Sequence, residues 1–301
     1  MSQPRPNTFI VGAPKCGTSS LHDYLDQHPD VYMSRSIKEP NYFSPELKVN
    51  EYRRPRTLEA YLDLFSAAGS AKRVGESSVW YLLSDQAAKN IRVFDPAARI
   101  IIMLRSPVDA AYSLHGQFIW ACNEDILDFE QALAAEDERR QGKRIPDTCT
   151  SPSGLIYTDV FSFHPQVKRY FDTFPREQVK VIIFEDFVKD TPRVYRETLE
   201  FLGLPNFAAK LEVVNAAKPV ALGVNRFFGQ RPALRSIVHR FVPAAVQRKI
   251  VDALPYFTKT LKREAKISPE LRSKLAPRFR EDIEKLSELL GRDLTHWTKP
   301  R

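Results

Sequence analysis

The sequence predicts an α/β fold in three layers, a central parallel sheet flanked by helices, and three stretches carry that prediction. Residues 9–11 are a short apolar run that meets a turn built from Gly12, Pro14 and Gly17. Thr18 then opens a helical pattern with Leu21, Tyr24 and Leu25 on one face. Residues 99–104, Arg-Ile-Ile-Ile-Met-Leu, form a continuous apolar run of the kind buried on both faces of a parallel sheet. Residues 179–184, Val-Lys-Val-Ile-Ile-Phe, repeat that character ahead of a further helix. A chain of 301 residues, 43% hydrophobic and 27% charged, has the composition of a globular α/β domain and length enough for a core.

Taken in order, the first turn directs backbone N–H groups and a helix N-terminus at an anion. Lys15 adds a mobile positive charge, and Thr18, Ser19 and Ser20 add hydroxyls. Residues 12–19 thus read as a phosphate cradle or as a plain strand-to-helix turn. Their order, G-x-x-K-x-G-T-S, is not that of the Walker A loop, where Lys follows the second Gly. The helix ends near Pro29, and residues 31–33 form a short extended piece. Lys38-Glu39-Pro40-Asn41-Tyr42-Phe43 sets a charged pair beside two aromatics. That is polar chemistry against an apolar wall, or a solvated pair with the rings in the core.

Residues 57–68 predict a helix, 73–76 a strand, and 84–94 a helix that stops before Pro96. The strand at 99–104 delivers Arg105 at its carboxyl end, with Pro107 in the first turn of the next helix and Ser113 two turns in. Ligands of open α/β sheets bind outside the carboxyl ends of the strands, so Lys15 and Arg105 share that edge. A structural salt bridge is the other reading of Arg105. Residues 124–150 are mixed and charged, a surface helix plus loop, and a helix runs from 154 through 170. The strand at 179–184 ends in Glu185-Asp186, acids able to hold Mg²⁺ in a nucleotide hydrolase. Helices follow over 191–202, stopped by Gly203, and over 277–290, stopped by Gly291, with Trp297 packing the tail.

The net charge of +8 is uneven, because residues 218–266 hold eleven Lys/Arg against Asp252 and Glu264. That segment reads as amphipathic helices with a basic solvated face, or as a surface for an anionic partner. Nucleic acid is not expected among the partners. Three Cys make no even disulfide set, and no apolar run is long enough to span a bilayer. With no signal segment before residue 9, the expected location is cytoplasmic.

Several stretches together resemble one family, the sulfotransferases that use 3′-phosphoadenosine 5′-phosphosulfate (PAPS), in their bacterial and Golgi carbohydrate branches. Gly12-Ala13-Pro14-Lys15-Cys16-Gly17-Thr18-Ser19 is similar to the 5′-phosphosulfate loop, and Lys38 to Phe43 to the segment holding the catalytic carboxylate. Leu104-Arg105-Ser106-Pro107 with Tyr112-Ser113 resembles the 3′-phosphate motif, and Gly154-Leu155-Ile156-Tyr157 and Phe184-Glu185-Asp186-Phe187 follow in family order. The resemblance covers roughly residues 8–205. It implies a P-loop-like fold, PAPS as donor without a required metal, and a site in which Lys15, Cys16, Gly17, Thr18, Ser19, Arg105, Ser113 and Tyr157 hold the donor.

It also implies catalysis by Lys15, Lys38 and Glu39. Glu39 acts as base on an acceptor hydroxyl or amine, and burial against Tyr42 and Phe43 raises its pKa from about 4.3. Under the resemblance Glu185-Asp186 becomes structural. Two departures stand out: Ser77 sits where some members have Lys, and Ala110 where an Arg is common. The catalytic His of the cytosolic branch has no match, and His22 and His115 read as packing or surface residues. One domain is expected over 1–301, with a nucleotide-binding core at 8–205 and a helical, basic region at 206–301 for the acceptor side and C-terminal packing. Expected acceptors are a carbohydrate, a glycolipid or a small hydroxylated metabolite. The alternatives are a Mg²⁺-dependent nucleotide kinase or NTPase, and a non-catalytic protein that binds membranes or glycans.

Overall fold

The structure, a computed structural model, describes residues 3–211 and 267–299. Five strands, β1 (Thr8–Gly12), β2 (Val31–Met33), β3 (Arg73–Glu76), β4 (Arg99–Leu104) and β5 (Val179–Ile183), form one sheet in the order β2-β3-β1-β4-β5. Every pairing is parallel. The pattern follows from composition, because β1 is buried at all five positions and β4 at five of six, so both need cover on two faces.

Helix α1 (Thr18–Leu25) follows β1, and α2 (Leu58–Asp63) and α3 (Ala87–Phe94) flank β3 in sequence. Helix α4 (Pro107–Trp120) follows β4, and α5 (Phe129–Ala134), α6 (Glu136–Arg140), α7 (Tyr157–Val160) and α8 (Phe163–Thr173) lead to β5. Beyond β5 come α9 (Phe184–Lys189), α10 (Thr191–Phe201), α11 (Pro269–Leu275) and α12 (Arg280–Leu290). Residues 267–299 join the same apolar core as the sheet, through Leu275, Phe279, Ile283, Leu286 and Trp297. The basic segment 218–266 and its amphipathic pattern lie outside the described residues.

Three expected elements differ. The helix expected over 154–170 is broken into a 3-10 turn (Pro152–Leu155), α7 and α8. Pro165 explains the break, since its ring is tolerated only in a first turn and it falls in the first turn of α8. Asp282 of α12 then caps α8 from outside, accepting the N–H groups of Phe163 at 2.8 Å and His164 at 2.9 Å. The helix expected over 57–68 is α2 followed by a 3-10 turn at Ser66–Ala68. The strand expected over 179–184 stops at Ile183, so that Phe184, Glu185 and Asp186 occupy the first turn of α9, where acids complement the helix dipole. The terminal helix ends as expected at Gly291, whose φ of 61° closes it in the left-handed region.

Candidate active site

The strand order places β1 between β3 and β4, so three strand ends open side by side. Gly12 closes β1 with no room for a side chain, because a Cβ there would stand 2.6 Å from the Leu82 Cβ. The Ala13 N–H then donates to the Met103 carbonyl at 2.7 Å, stitching the turn to β4. Lys15 follows with φ 66°, and Gly17 with φ 91° stands at the N-cap of α1. A Cβ on Gly17 would lie 3.0 Å from the Phe184 ring. Having no side chain, Gly17 leaves the first-turn N–H groups of α1 to other acceptors. Cys16 turns its thiol inward, donating to the Pro14 carbonyl at 3.4 Å, and burial pushes that thiol up to about 12. Its contribution to the turn is therefore its backbone. Thr18 is buried and Ser19 half-buried.

Among the described residues, three cations meet at this turn. The Arg105 Nη1 donates to the Lys15 carbonyl at 3.5 Å, while its guanidinium lies 4.9 Å from the centre of the Phe184 ring. Burial, and after it the Arg105 charge, lowers the Lys15 pKa. Lys38 arrives from the loop after β2, and its Nζ donates to the Ser19 Oγ at 2.6 Å. Lys38 also lies 3.8 Å from the Glu39 Oε1. Ser113 is half-buried on α4, behind Arg105. The fold thus brings Lys15, Arg105, Ser19, Lys38 and Glu39 to one edge of the sheet. Phe184 was not foreseen there; its signal was its place at the end of an apolar strand.

Two expectations are corrected. Glu39 is not buried against Tyr42 and Phe43, and its side chain stays 28% exposed. The rings pack elsewhere: Phe43 against Phe9, Tyr61 and Phe94, and Tyr42 stacked on Tyr61 at 4.5 Å. Tyr157 does not open onto the cradle. It is fully enclosed, and its hydroxyl donates to the Glu124 Oε2 at 2.9 Å within a buried pair of Glu124 and Arg139.

Other groups take structural places. His115 and His22 are both buried. The His22 Nδ1 stands 2.8 Å from the Ser77 Oγ, and burial, then the nearby Lys38 charge, pushes His22 down to about 3. Ser77, where a Lys was noted as missing, is thus enclosed beside a neutral imidazole. The Asp186 Oδ1 accepts from Arg292 at 2.9 Å, and the Glu185 Oε1 accepts the Ser106 N–H at 3.4 Å. The buried carboxyl at the end of β3, Glu76, was missed. Only its position, last in a predicted strand whose end opens beside the cradle, could have flagged it.

A parallel sheet whose first loop gathers cations and a helix N-terminus at the carboxyl edge has the geometry of an anion site. The comparisons narrow that class. A family model described as sulfotransferase domain matches residues 5–217. Carbohydrate sulfotransferase 15 of Homo sapiens is 25% identical over 270 residues, 72% of this chain and 47% of that protein. Bifunctional heparan sulfate N-deacetylase/N-sulfotransferase 2 of Homo sapiens is 26% identical over 209 residues, 67% of this chain and 22% of that protein. The chain spans under half the length of these relatives. The crystal structure of a sulfotransferase from Alicyclobacillus acidocaldarius is 32% identical, covers 98% of this chain and 100% of its own, and superposes with a TM-score of 0.73. The chain belongs to the sulfotransferase family, whose donor is PAPS.

Proposed function

We propose that this protein is an enzyme that moves a sulfuryl group from PAPS to a hydroxyl or amine of a carbohydrate. The carrying observation is the meeting of Lys15 and Arg105 from two adjacent strand ends, with Lys38 and Glu39 folded over Ser19. The residues suit the donor: a side chain on Gly17 would meet Phe184, and the backbone of Cys16 to Ser19 borders cations suited to phosphate.

In-line transfer of this kind asks the protein chiefly to position groups and stabilise charge. A bond forms from sulfur to the acceptor atom while the bond from sulfur to the phosphate oxygen breaks. Lys15 and the N–H groups of Gly17, Thr18 and Ser19 take up the charge that develops on that oxygen. Lys38 supplies a second cation where Ser77 has none. Arg105 and Ser113 hold the 3′-phosphate. Glu39 takes the acceptor proton, and its exposure leaves it within reach of an arriving substrate. Carbohydrate is the favoured acceptor because relatives on both lines bear carbohydrate or heparan sulfate names. The tie between Asp186 and Arg292 weighs against the kinase or NTPase alternative, in which that acid would hold Mg²⁺.

The test is calorimetric titration with 3′-phosphoadenosine 5′-phosphate, the donor's product, in EDTA, with ATP plus Mg²⁺ alongside. Metal-free binding that Arg105→Ala abolishes is the expected result. Binding of ATP alone, and only with Mg²⁺, sinks the reading. Sulfation of an oligosaccharide panel, set beside a glycolipid and small phenols or alcohols, then assigns the acceptor.

A further inference from the structure

Glu76 ends β3, and its side chain is wholly enclosed. Its Oε1 accepts the hydroxyls of Tyr61 at 2.7 Å and Tyr81 at 2.9 Å, and its Oε2 accepts the Ser78 hydroxyl at 2.5 Å. Each of these three partners also holds one residue of the segment that carries Glu39. The Ser78 Oγ accepts the Asn41 N–H at 3.0 Å. The Tyr61 ring stacks on Tyr42 at 4.5 Å with 11° between planes. The Tyr81 hydroxyl accepts the Phe43 N–H at 3.2 Å. Asn41, in the left-handed region at φ 51°, closes the chain of contacts by donating from Nδ2 to the carbonyl of Glu39 itself at 3.0 Å.

We infer that Glu76 is the positioning residue for the base, holding the 38–43 segment through Ser78, Tyr61 and Tyr81 so that Glu39 faces the cradle. The inference rests on the proposed role of Glu39. An enclosed carboxyl is an expensive way to fill space, since well-packed apolar groups often replace buried charge at no loss of stability. A carboxylate with two acceptor oxygens, however, can orient three hydroxyls at once. Each hydroxyl that donates to Glu76 keeps its lone pairs or its ring face turned to the segment. The seat is also rigid, because Glu76 pairs with Phe9 of β1 in the middle of the sheet. Glu76 touches no substrate in this account and acts only through the segment.

The chemistry of the replacement sharpens the test. In Glu76→Gln the amide oxygen still accepts from Tyr61 and Tyr81, but the amide nitrogen faces Ser78 as a donor. The Ser78 proton loses its acceptor, and the Ser78–Asn41 link loosens while the two tyrosines stay. Ser78→Ala cuts the same link without altering Glu76.

The experiment uses the full chain of wild type, Glu76→Gln, Ser78→Ala and Glu39→Gln. It reads amide hydrogen exchange over residues 38–43, kcat, acceptor KM, and the Kd of 3′-phosphoadenosine 5′-phosphate. For Glu76→Gln and Ser78→Ala, exchange in 38–43 should quicken while the 12–19 turn stays protected. In both, kcat should fall roughly 10- to 100-fold, as for a misplaced reacting group, with the product Kd within about twofold of wild type. Wild-type exchange and kcat in both variants overturn the inference. So does a loss of product binding together with faster exchange everywhere, which marks a merely structural role. Glu39→Gln separates the two readings: slow turnover with a protected segment supports the base. Full activity in Glu39→Gln overturns the base, and the exchange data still decide whether Glu76 holds the segment.

Discussion

Lys15 sits where burial and a neighbouring guanidinium both oppose its charge, so an arriving anion relieves it twice over. Binding of the donor's product should therefore raise its pKa, and titration at alkaline pH in buffers of differing ionisation enthalpy should register proton uptake that Lys15→Ala removes. The same variant should lower kcat by about 10²- to 10³-fold, the scale of losing one charge-stabilising donor. Glu76 and His22 give opposite signs in stability against pH. Glu76 is pushed up from 4.5 to about 7, chiefly by burial. The folded state thus binds the extra proton between these values, and its stabilisation, full below about 4.5, is lost as pH rises through about 7. His22, pushed down from 6.5 to about 3, makes stability fall as pH drops through that window. Between pH 5 and pH 8 the two oppose each other in wild type, so Glu76→Gln, which leaves His22 alone, should lower the melting temperature at pH 5 relative to that at pH 8. Lys15 and Arg105 were legible in the sequence because Arg105 follows an apolar strand directly and Lys15 lies in the short turn between such a strand and a helix. Glu76 was not, because its enclosure is made by hydroxyls from positions 61, 78 and 81 that only the folded sheet assembles.

Among the helices, ties across elements matter more than propensity. The Arg139 of α6 is paired with Glu124 at 2.7 Å, with both side chains almost fully enclosed, and Tyr157 of α7 joins them. Removing one partner leaves a buried charge, so Glu124→Ala should cost about 3–5 kcal/mol in denaturant unfolding. Replacing both members by apolar residues should recover most of that loss. Asp282→Ala uncaps α8 and should cost about 1 kcal/mol, on the scale of other N-cap losses. Neither tie could be read from sequence, since Asp282 lies far along the chain from Phe163. Pro165, by contrast, was in plain view, and its restriction to a first turn accounts for the split of the helix expected over 154–170. On α4, Asp109 forms a nearly enclosed ion pair with Arg272 of α11, which seats the C-terminal helices on the element that bears Ser113.

For the whole molecule, the parallel sheet followed from apolar runs too continuous for a one-faced sheet, while the order of strands did not, since periodicity records burial and not neighbours. That order is what sets Lys15 beside Arg105. Product binding at 100 times its Kd should add about 2.7 kcal/mol to stability, raising the melting temperature by roughly 5 °C. Arg105→Ala should cancel that rise in a thermal-shift assay without abolishing the melt itself.

The middle position of β1 also bears on how the protein is made. Of the five described strands, Thr8–Gly12 leaves the ribosome before the others, with both edges bare; one edge is paired only once Arg73–Glu76 has emerged, and the other only after Arg99–Leu104. Phe9, Ile10 and Val11 thus spend the longest time without neighbours among the described strands. Of those five strands, the one on which the finished site depends most is the one that waits longest exposed to a nascent-chain chaperone.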